Sequence, residues 1–335
     1  MGDEEETKIK GGKRPPQRGF MLNIMLDTDI GNDCDDAAAA ALACIYESAG
    51  LCRLLDFTVN TADPYAPGCL EAIENRYGGH REIGVYKGEG FPANPSSYCR
   101  AVAERFGSTA KKRPEAVSLM RRKLVGCARK SVKIICIGQL NNLRALLQSA
   151  EDEIGTDGLS LVREKVSEVV IMGGMFNAEC VEFLGKPYMT EYNISVSVPD
   201  SIKAIELCPV PVVFSDFILG KDVMTLGSLI DRETTDPVGY AYKLFCGGNR
   251  PSWDILTVMY AVEGERGLFR KSSRGTVTVE DNGRTRFSEN ENGRHCYLLP
   301  AVENSRIEKA IEDIFHNFFL HREELRVNCT INLSR

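Results

Sequence analysis

The sequence predicts an α/β fold in which an open, largely parallel sheet is flanked by helices. Two observations support this prediction. Short apolar runs alternate with segments of helical spacing along most of the chain, and such alternation is typical of βαβ units. In addition, a cluster of carboxylates directly follows the first apolar run. Open α/β sheets bind ligands beyond the carboxyl ends of their strands, so this cluster marks a candidate site.

The amino-terminal half supplies the clearest elements. Short apolar runs predict strands at residues 24–26, 54–59, 83–86 and 132–137. Helices are predicted after them at residues 37–42, 67–77, 114–130 and 140–149. The first of these helices is rich in alanine, the best helix former. The third has apolar residues at helical spacing behind an early proline, which a first helical turn tolerates.

The carboxy-terminal half continues the alternation and then changes. Strands are predicted at 166–172 and 210–214, a helix at 199–207, and mainly helical structure over 222–263. Three short strands at 276–279, 286–288 and 297–299 precede an amphipathic helix at 304–319. No internal repeat or linker divides the chain, so we interpret residues 20–335 as one domain. Residues 1–19 are charged and poor in apolar residues, and we expect a disordered tail there.

Composition argues against several classes of protein. The net charge of −6 is unlike that of a nucleic-acid binder. No apolar run is long enough to span a membrane, and the charged amino terminus has no apolar signal region, so we expect a cytoplasmic protein. The 12 cysteines are scattered and form no C-x-x-C pair. We therefore expect reduced, mostly buried thiols rather than a zinc site.

The segment LNIMLDTDIGNDCDDAAAAAL, residues 22–42, carries five carboxylates within ten residues, where a predicted strand ends and a helix begins. They belong to Asp27, Asp29, Asp33, Asp35 and Asp36. Gly31 lies among them and permits a turn that a residue with a Cβ would resist. No Lys or Arg occurs between Asp27 and Tyr46. The charges therefore require a bound cation or raised pKa values, and a hard divalent cation is the simplest answer. A solvated acidic loop with Asp35 as a helix N-cap is the alternative.

Other known acidic or glycine-rich motifs fit this segment less well. An EF-hand loop counted from Asp27 would have Gly31, Asn32 and Ala38 at three positions where different residues are needed. The dinucleotide fingerprint needs glycines where this chain has aspartates. A Mg²⁺-dependent phosphatase of the haloacid dehalogenase type would use Asp27 as its nucleophile, although that family's later Lys and acidic pair are not evident.

The segment resembles the amino-terminal signature of the inosine-uridine type nucleoside hydrolases. In that family an Asp-x-Asp-x-Gly turn precedes Asp-Asp-Ala, and this chain has a variant with two more residues, so that Asn32-Asp33-Cys34 stand before Asp35. Three later segments match in the correct order: ICIGQLNNL at 135–143, EYN at 191–193 and NRPSWDIL at 249–256. The resemblance covers residues 20 to about 320. It implies a nucleoside hydrolase-like sheet with a Rossmann-like core.

The resemblance also implies an activity. We expect calcium-dependent hydrolysis of the N-glycosidic bond of ribonucleosides, which gives free base and ribose by attack of a metal-bound water. By this resemblance the Ca²⁺ ligands are Asp29, Asp36, Asp254 and the backbone carbonyl of Ile137. Asp29 is also the expected general base, and Asp27 is expected to support the turn from behind the ligands.

Substrate contacts follow from the same comparison. Either Asp33 or Asp35 is expected to bind the 2′-hydroxyl, and the longer turn leaves both open. Glu191 and Asn193 are expected to hold the ribose hydroxyls, together with Asp254. The family usually has an Asn where this chain has Gly185, and we consider Asn177 as its substitute.

The sequence shows no obvious residue that could protonate the leaving base. Where well-known members have a His before the late Asp, this chain has Trp253, its single Trp. An indole N–H does not release a proton at neutral pH, so we hypothesise that Trp253 stacks on the base. His295 is the candidate acid, because His is the residue most often used in that role. A homodimer or homotetramer is expected by analogy. The competing class is a protein that binds calcium and a ribosyl ligand without turnover.

Overall fold

The computed structural model describes residues 21–88, 98–107 and 112–333, with side chains up to residue 321. The predicted disordered tail at residues 1–19 lies outside the described residues. Within them, no helix combines the length and the apolar character needed to cross a membrane.

The strands of the described chain are numbered in order. They are β1 (Asn23–Thr28), β2 (Arg53–Val59), β3 (Ile83–Val85), β4 (Val132–Cys136), β5 (Val166–Met172), β6 (Val181–Phe183), β7 (Lys186–Tyr188), β8 (Val212–Ser215), β9 (Met224–Thr225), β10 (Arg250–Pro251), β11 (Phe269–Lys271), β12 (Gly275–Val279), β13 (Thr285–Glu289) and β14 (His295–Pro300).

The helices are numbered in the same way. They are α1 (Asp35–Ser48), α2 (Ala66–Tyr77), α3 (Cys99–Arg105), α4 (Ala116–Val125), α5 (Asn141–Gln148), α6 (Gly158–Lys165), α7 (Tyr192–Ser195), α8 (Val198–Leu207), α9 (Phe217–Gly220), α10 (Pro237–Phe245), α11 (Trp253–Glu263) and α12 (Asn304–Leu333). A 3₁₀ helix covers Gly227–Arg232.

Ten strands form one twisted sheet in the order β13-β12-β14-β8-β5-β4-β1-β2-β3, and β11 pairs with β14 beside this path. The seven strands from β14 to β3 are parallel to their neighbours. Strands β11, β12 and β13 pair antiparallel at one side. Helices cover both faces of the sheet, where they enclose two apolar cores. The predicted α/β fold with a largely parallel sheet is confirmed.

Several predicted boundaries are wrong, and local chemistry explains them. The helix predicted over 114–130 begins only at Ala116, because Glu115 caps it by accepting hydrogen bonds from the N–H groups of Val117 and Ser118. It ends at Val125. The region 222–263 is not continuously helical, since it also contains β9, β10 and the 3₁₀ helix. The β6–β7 hairpin was not predicted, because each of its strands has only three residues.

Helix α1 is buried on all sides, which its sequence permits. Residues 35–46 are all buried, and the alanines among them have no exposed surface. On one side α1 packs against α11. Because the spacing of packed elements depends on side-chain size, a run of alanines lets α1 lie close to both the sheet and α11. This close packing brings the acidic amino terminus of α1 to the amino terminus of α11.

We predict that Ala40→Leu destabilises the protein by roughly 1–3 kcal/mol, because Ala40 is fully buried in the apolar core and the added carbons would force its neighbours apart. Chemical denaturation would measure the change in the free energy of unfolding. Ala49→Leu is the matched control, since Ala49 is exposed and directly follows the last residue of the same helix. Equal effects of the two substitutions would show that α1 is not tightly packed.

Candidate active site

The carboxyl ends of the parallel strands open into a pocket of about 280 Å³. Its acidic side comes from the turn after β1 and from the first residues of α1 and α11. An aromatic side faces it, built from the β6–β7 hairpin, α9, α10 and α11. The polar lining residues are Asp29, Asn32, Asp33, Asp35, Asp36, Glu191, Asn193, Arg250 and Asp254. The pocket therefore joins charged groups with a broad apolar surface, as a site for an amphipathic small molecule requires.

Three buried carboxylates meet at the acidic side. Asp35, Asp36 and Asp254 each offer an oxygen, and these oxygens lie within 4.8 Å of one another. The backbone N–H of Asp254 donates to Asp35 at 3.0 Å, and the hydroxyl of Thr28 donates to Asp36 at 2.5 Å. Burial, reinforced by mutual repulsion, raises the pKa of all three carboxyls well above the ordinary range. A donor set made only of oxygen atoms, with unfavourable repulsion between them, fits a hard divalent cation.

Asp29 lies in the same pocket beside this group but is not one of its three members. Its carboxylate accepts a hydrogen bond of 2.6 Å from the Asn32 amide. Burial raises the pKa of Asp29 to about 6, and the negative charges of Asp33 and Asp27 add to that rise. A Cβ on Gly138 would lie 2.6 Å from an Asp29 carboxylate oxygen. Only glycine therefore lets the turn after β4 approach Asp29 this closely.

Ile137, whose carbonyl is predicted as a metal ligand, also lines the pocket. Its position is fixed by the backbone, because the Ile137 N–H donates to the carbonyl of Asp27 at 2.8 Å. The carbonyl itself accepts a 3.3 Å hydrogen bond from the Asn193 amide. The structure thus gathers all four predicted ligand residues in one pocket, and it adds Asp35, which was predicted only as a possible hydroxyl ligand.

Asp27 has a supporting position behind the pocket. Its carboxylate accepts hydrogen bonds from Thr58 at 2.5 Å, Asn60 at 3.0 Å and Asn142 at 2.7 Å. The side chain is 1% exposed and does not line the pocket. A phosphatase of the haloacid dehalogenase type needs its first Asp free to attack a phosphate. The buried, fully engaged Asp27 contradicts that alternative.

Asp33 is neutralised by a residue that the sequence did not reveal. The Arg250 guanidinium forms a two-pronged ion pair with the Asp33 carboxylate, with Nε 2.9 Å from Oδ1. The Cys34 N–H donates to the same carboxylate at 2.7 Å. No Lys or Arg occurs within the acidic segment itself, whereas Arg250 lies 217 positions after Asp33. Its position two residues before the Ser-Trp-Asp segment was the one available signal.

Glu191 and Asn193 line the pocket, but the backbone uses much of their hydrogen-bonding capacity. Glu191 caps α7 by accepting from the N–H groups of Asn193 and Ile194 at 2.7 and 3.0 Å. It also accepts from the Gly174 N–H at 3.2 Å. Burial raises the pKa of Glu191 to about 7. The pair therefore fixes the loop after β5 against the ends of β4 and β5, as well as lining the pocket.

An aromatic wall, which we define as Phe183, Tyr188, Phe217 and Trp253, forms the other side of the pocket. Phe217 stacks on Tyr188 and on Trp253, with ring centroids 4.4 and 5.3 Å apart. Phe183 meets both Phe217 and Trp253 edge-on. The β6–β7 hairpin supplies Phe183 and Tyr188, which the sequence analysis missed. Gly185, where relatives usually have an Asn, lies in the hairpin turn with a φ of +73°.

The structure changes the interpretation of Trp253. Its indole N–H donates to the Phe217 carbonyl at 2.9 Å, so this proton is not directed at a leaving group. Phe217 stacks on the ring, and the Arg250 guanidinium lies 5.6 Å from the ring centroid. A base cannot stack on the face that Phe217 covers. The hypothesis that Trp253 stacks on the base is therefore disfavoured, and the residue is better described as part of the pocket wall.

Two predicted site residues do not reach the pocket. His295 begins β14 opposite Val212, the first residue of the parallel strand β8, whereas the pocket lies beyond the strand ends. Its Nδ1 accepts from the Val277 N–H at 2.9 Å, and burial lowers its pKa to about 4. This placement contradicts its predicted role as the leaving-group acid. Asn177 is also misplaced, since its side chain accepts a hydrogen bond from the Tyr297 hydroxyl in a separate cavity.

Solved structures with the same fold include several nucleoside hydrolases. The inosine-uridine preferring nucleoside hydrolase from Bacillus anthracis superposes with a TM-score of 0.63 at 16% identity, over 88% of this chain and 99% of that one. A plant nucleoside hydrolase superposes with a TM-score of 0.66 at 14% identity, over 88% of this chain and 98% of that one. The type III effector protein XopQ superposes with a TM-score of 0.62 at 18% identity, over 90% of this chain and 93% of that one. Its structure was solved in complex with adenosine diphosphate ribose. No curated protein matches the sequence significantly.

The sequence itself matches one family over most of its length. Residues 24–311 fit the family described as inosine-uridine preferring nucleoside hydrolase. The match confirms the resemblance inferred from the four segments, and it agrees with the strand order and with the acidic pocket. The chain therefore belongs to the inosine-uridine preferring nucleoside hydrolase family, whose members are glycosidases that act on ribonucleosides.

Proposed function

We propose that this chain hydrolyses the N-glycosidic bond of ribonucleosides in a calcium-dependent reaction that releases free base and ribose. The observation that carries the proposal is the group of three buried carboxylates from Asp35, Asp36 and Asp254, in one pocket with Asp29. Oxygen-only ligands favour Ca²⁺ over zinc or another soft metal. The aromatic wall on the opposite side gives a surface suited to a nucleobase.

Different residues of the pocket have different proposed roles in metal binding and in catalysis. Asp35, Asp36, Asp254 and the Ile137 carbonyl would hold the ion, with Asp29 beside them. A bound Ca²⁺ would supply charge that orients the ribose hydroxyls and lowers the pKa of a water molecule. Asp29 is the proposed general base. With a pKa raised only to about 6, its carboxyl is mostly ionised at neutral pH and able to accept a proton.

The ribose-binding role is assigned to the residues around this acidic side. Asn193 and Asp254 offer polar groups at the pocket, whereas Asp33 is occupied by Arg250. Of the two candidates for the 2′-hydroxyl, Asp35 is therefore favoured over Asp33. Glu191 holds the Asn193 segment in place through its three backbone hydrogen bonds.

The first test is a reducing-sugar assay over a panel of purine and pyrimidine ribonucleosides. We expect release of ribose in the presence of Ca²⁺ and loss of most of that release after chelation. Restoring Ca²⁺, but not Zn²⁺, should restore turnover. Tight binding of ribonucleosides with no release of base would instead support the alternative that the chain is a non-catalytic binding protein.

We predict that Asp29→Asn lowers kcat by about 10²–10⁴-fold, the usual contribution of a general base. The amide keeps the size of the side chain, so the fold should survive, as a thermal melt would show. Asp281→Asn is the matched control, because Asp281 is exposed in the turn between β12 and β13. If the Asp29 variant kept more than about a tenth of the activity, another group would have to be the base.

We predict that Trp253→Ala lowers turnover of inosine and of a nitrophenyl riboside by similar factors. The nitrophenyl leaving group needs no proton, and the Trp253 indole N–H is already donated to the Phe217 carbonyl, while Phe217 covers one face of the Trp253 ring. Trp253→Phe should retain more activity than Trp253→Ala, since it keeps a ring against Phe217. A loss confined to inosine would revive the hypothesis that Trp253 activates the base by stacking.

A further inference from the structure

Two cysteines from distant parts of the chain meet beside the acidic pocket. The sulfur atoms of Cys34 and Cys246 are 3.9 Å apart, although the residues are 212 positions apart in sequence. Cys34 is fully buried, whereas Cys246 is exposed. Neither residue lines the pocket itself. One accessible thiol in contact with one buried thiol is the arrangement needed for an oxidant to reach the first and for the second to resolve the product.

The two segments are already held together at this point. Cys34 stands between Asp33 and Asp35, directly before α1, and Cys246 directly follows α10. Four residues after Cys246, Arg250 forms its ion pair with Asp33. A disulfide needs the two sulfur atoms to approach to about 2.05 Å, which is a closure of roughly 2 Å from their present separation. No rearrangement of distant segments is needed to bring them together.

The surroundings of Cys246 favour its reactive form. The hydrogen bond between the Cys34 and Cys246 sulfur atoms, with help from the positive charge of Arg250, lowers the pKa of Cys246 to about 6. The thiolate is the nucleophilic form of cysteine, and its exposure admits a small oxidant. Cys180 is also exposed, but its sulfur lies only near the Val181 carbonyl. It provides an internal comparison for an accessible thiol outside this setting.

We propose that Cys34 and Cys246 form a reversible disulfide when the protein meets hydrogen peroxide, and that this bond switches the acidic pocket to a less active state. In the first step the Cys246 thiolate attacks one peroxide oxygen, the O–O bond breaks, and a sulfenic acid and hydroxide form. In the second step the Cys34 sulfur attacks the Cys246 sulfur, the S–O bond breaks, and the oxygen leaves as water with the thiol proton. Together with the proton that Cys246 loses on ionising, the hydroxide becomes water, so that overall two thiols are oxidised and one peroxide is reduced to two waters.

The effect on activity rests on the proposed function and follows from where Cys34 lies. Its neighbours Asp33 and Asp35 share its short turn, so movement of the Cys34 backbone toward Cys246 displaces both carboxylates. Asp35 is one of the three clustered carboxylates, and Asp33 is held by Arg250. Misplacement by about 1 Å near a reaction centre can cost as much as 10²-fold in rate. We therefore expect the oxidised protein to lose activity by about tenfold or more.

The bond itself is tested without reference to activity. The full-length protein is treated with hydrogen peroxide, blocked with an alkylating reagent, digested without reductant and analysed by mass spectrometry. We expect a peptide pair linked through Cys34 and Cys246, which disappears on treatment with dithiothreitol. If Cys246 is oxidised but no such pair forms, the proposal is overturned, whether or not the protein hydrolyses nucleosides.

The switch is then tested by activity on the best ribonucleoside of the panel. Peroxide should lower the activity of the wild-type protein and of Cys180→Ser by about tenfold or more, and dithiothreitol should restore it. Cys246→Ser, a change at an exposed position, should start near wild-type activity and resist peroxide. Equal inactivation of Cys246→Ser, or a linked protein with unchanged activity, would overturn the switch. Absence of turnover in the reduced protein would instead refute the proposed function and leave the mapped bond as a separate result.

Discussion

The structure depends on holding several carboxylates together in and behind a buried pocket, where burial raises the pKa of Asp35, Asp36 and Asp254 and their mutual repulsion adds to the rise. The fold offsets this repulsion differently at each position. Asp27 receives three side-chain hydrogen bonds, from Thr58 in β2, from Asn60 directly after β2 and from Asn142 in α5. Asp33 receives the Arg250 guanidinium. Asp35, Asp36 and Asp254 receive only partial help from a backbone N–H and the Thr28 hydroxyl. The remaining imbalance is concentrated where a cation would act.

The architecture around the pocket follows from small residues as much as from charged ones. The alanines of α1 let its acidic end approach α11, and Gly138 lets the turn after β4 pack against Asp29. These positions belong to different segments of the chain, yet parallel strand order places their ends side by side. Small residues there are consequently part of the binding geometry, because a larger side chain would separate the acidic groups that the strands and helices bring together.

Sequence reasoning succeeded where the signal was local. The alternation of strands and helices follows from local apolar patterns, and the segments that resemble the family pointed to Asp29, Asp36, Ile137 and Asp254, which line one pocket. The residues that were missed are those whose contacts depend on the tertiary structure. The aromatic wall depends on a short hairpin folding over α9, and Arg250 reaches Asp33 across 217 positions. His295 was misjudged because its sequence context gave no sign that it lies at the amino-terminal end of β14, whereas the pocket lies beyond the carboxyl ends of the parallel strands.

The longer acidic turn and the Trp253 substitution are physically connected. In the turn, Asn32 donates to Asp29, Asp33 pairs with Arg250, and Cys34 contacts Cys246. Two of these three partners lie in the short segment between α10 and α11, and Arg250 also lies over the Trp253 ring. The longer turn thus contacts the segment between α10 and α11, which precedes Trp253. The apolar ring of Trp253 in turn lies against the Arg250 guanidinium. A His in place of Trp253 would put another protonatable group beside Arg250, whose positive charge would disfavour the protonated acid. The apolar ring at position 253 is therefore compatible with the arginine that pairs with Asp33 in this turn.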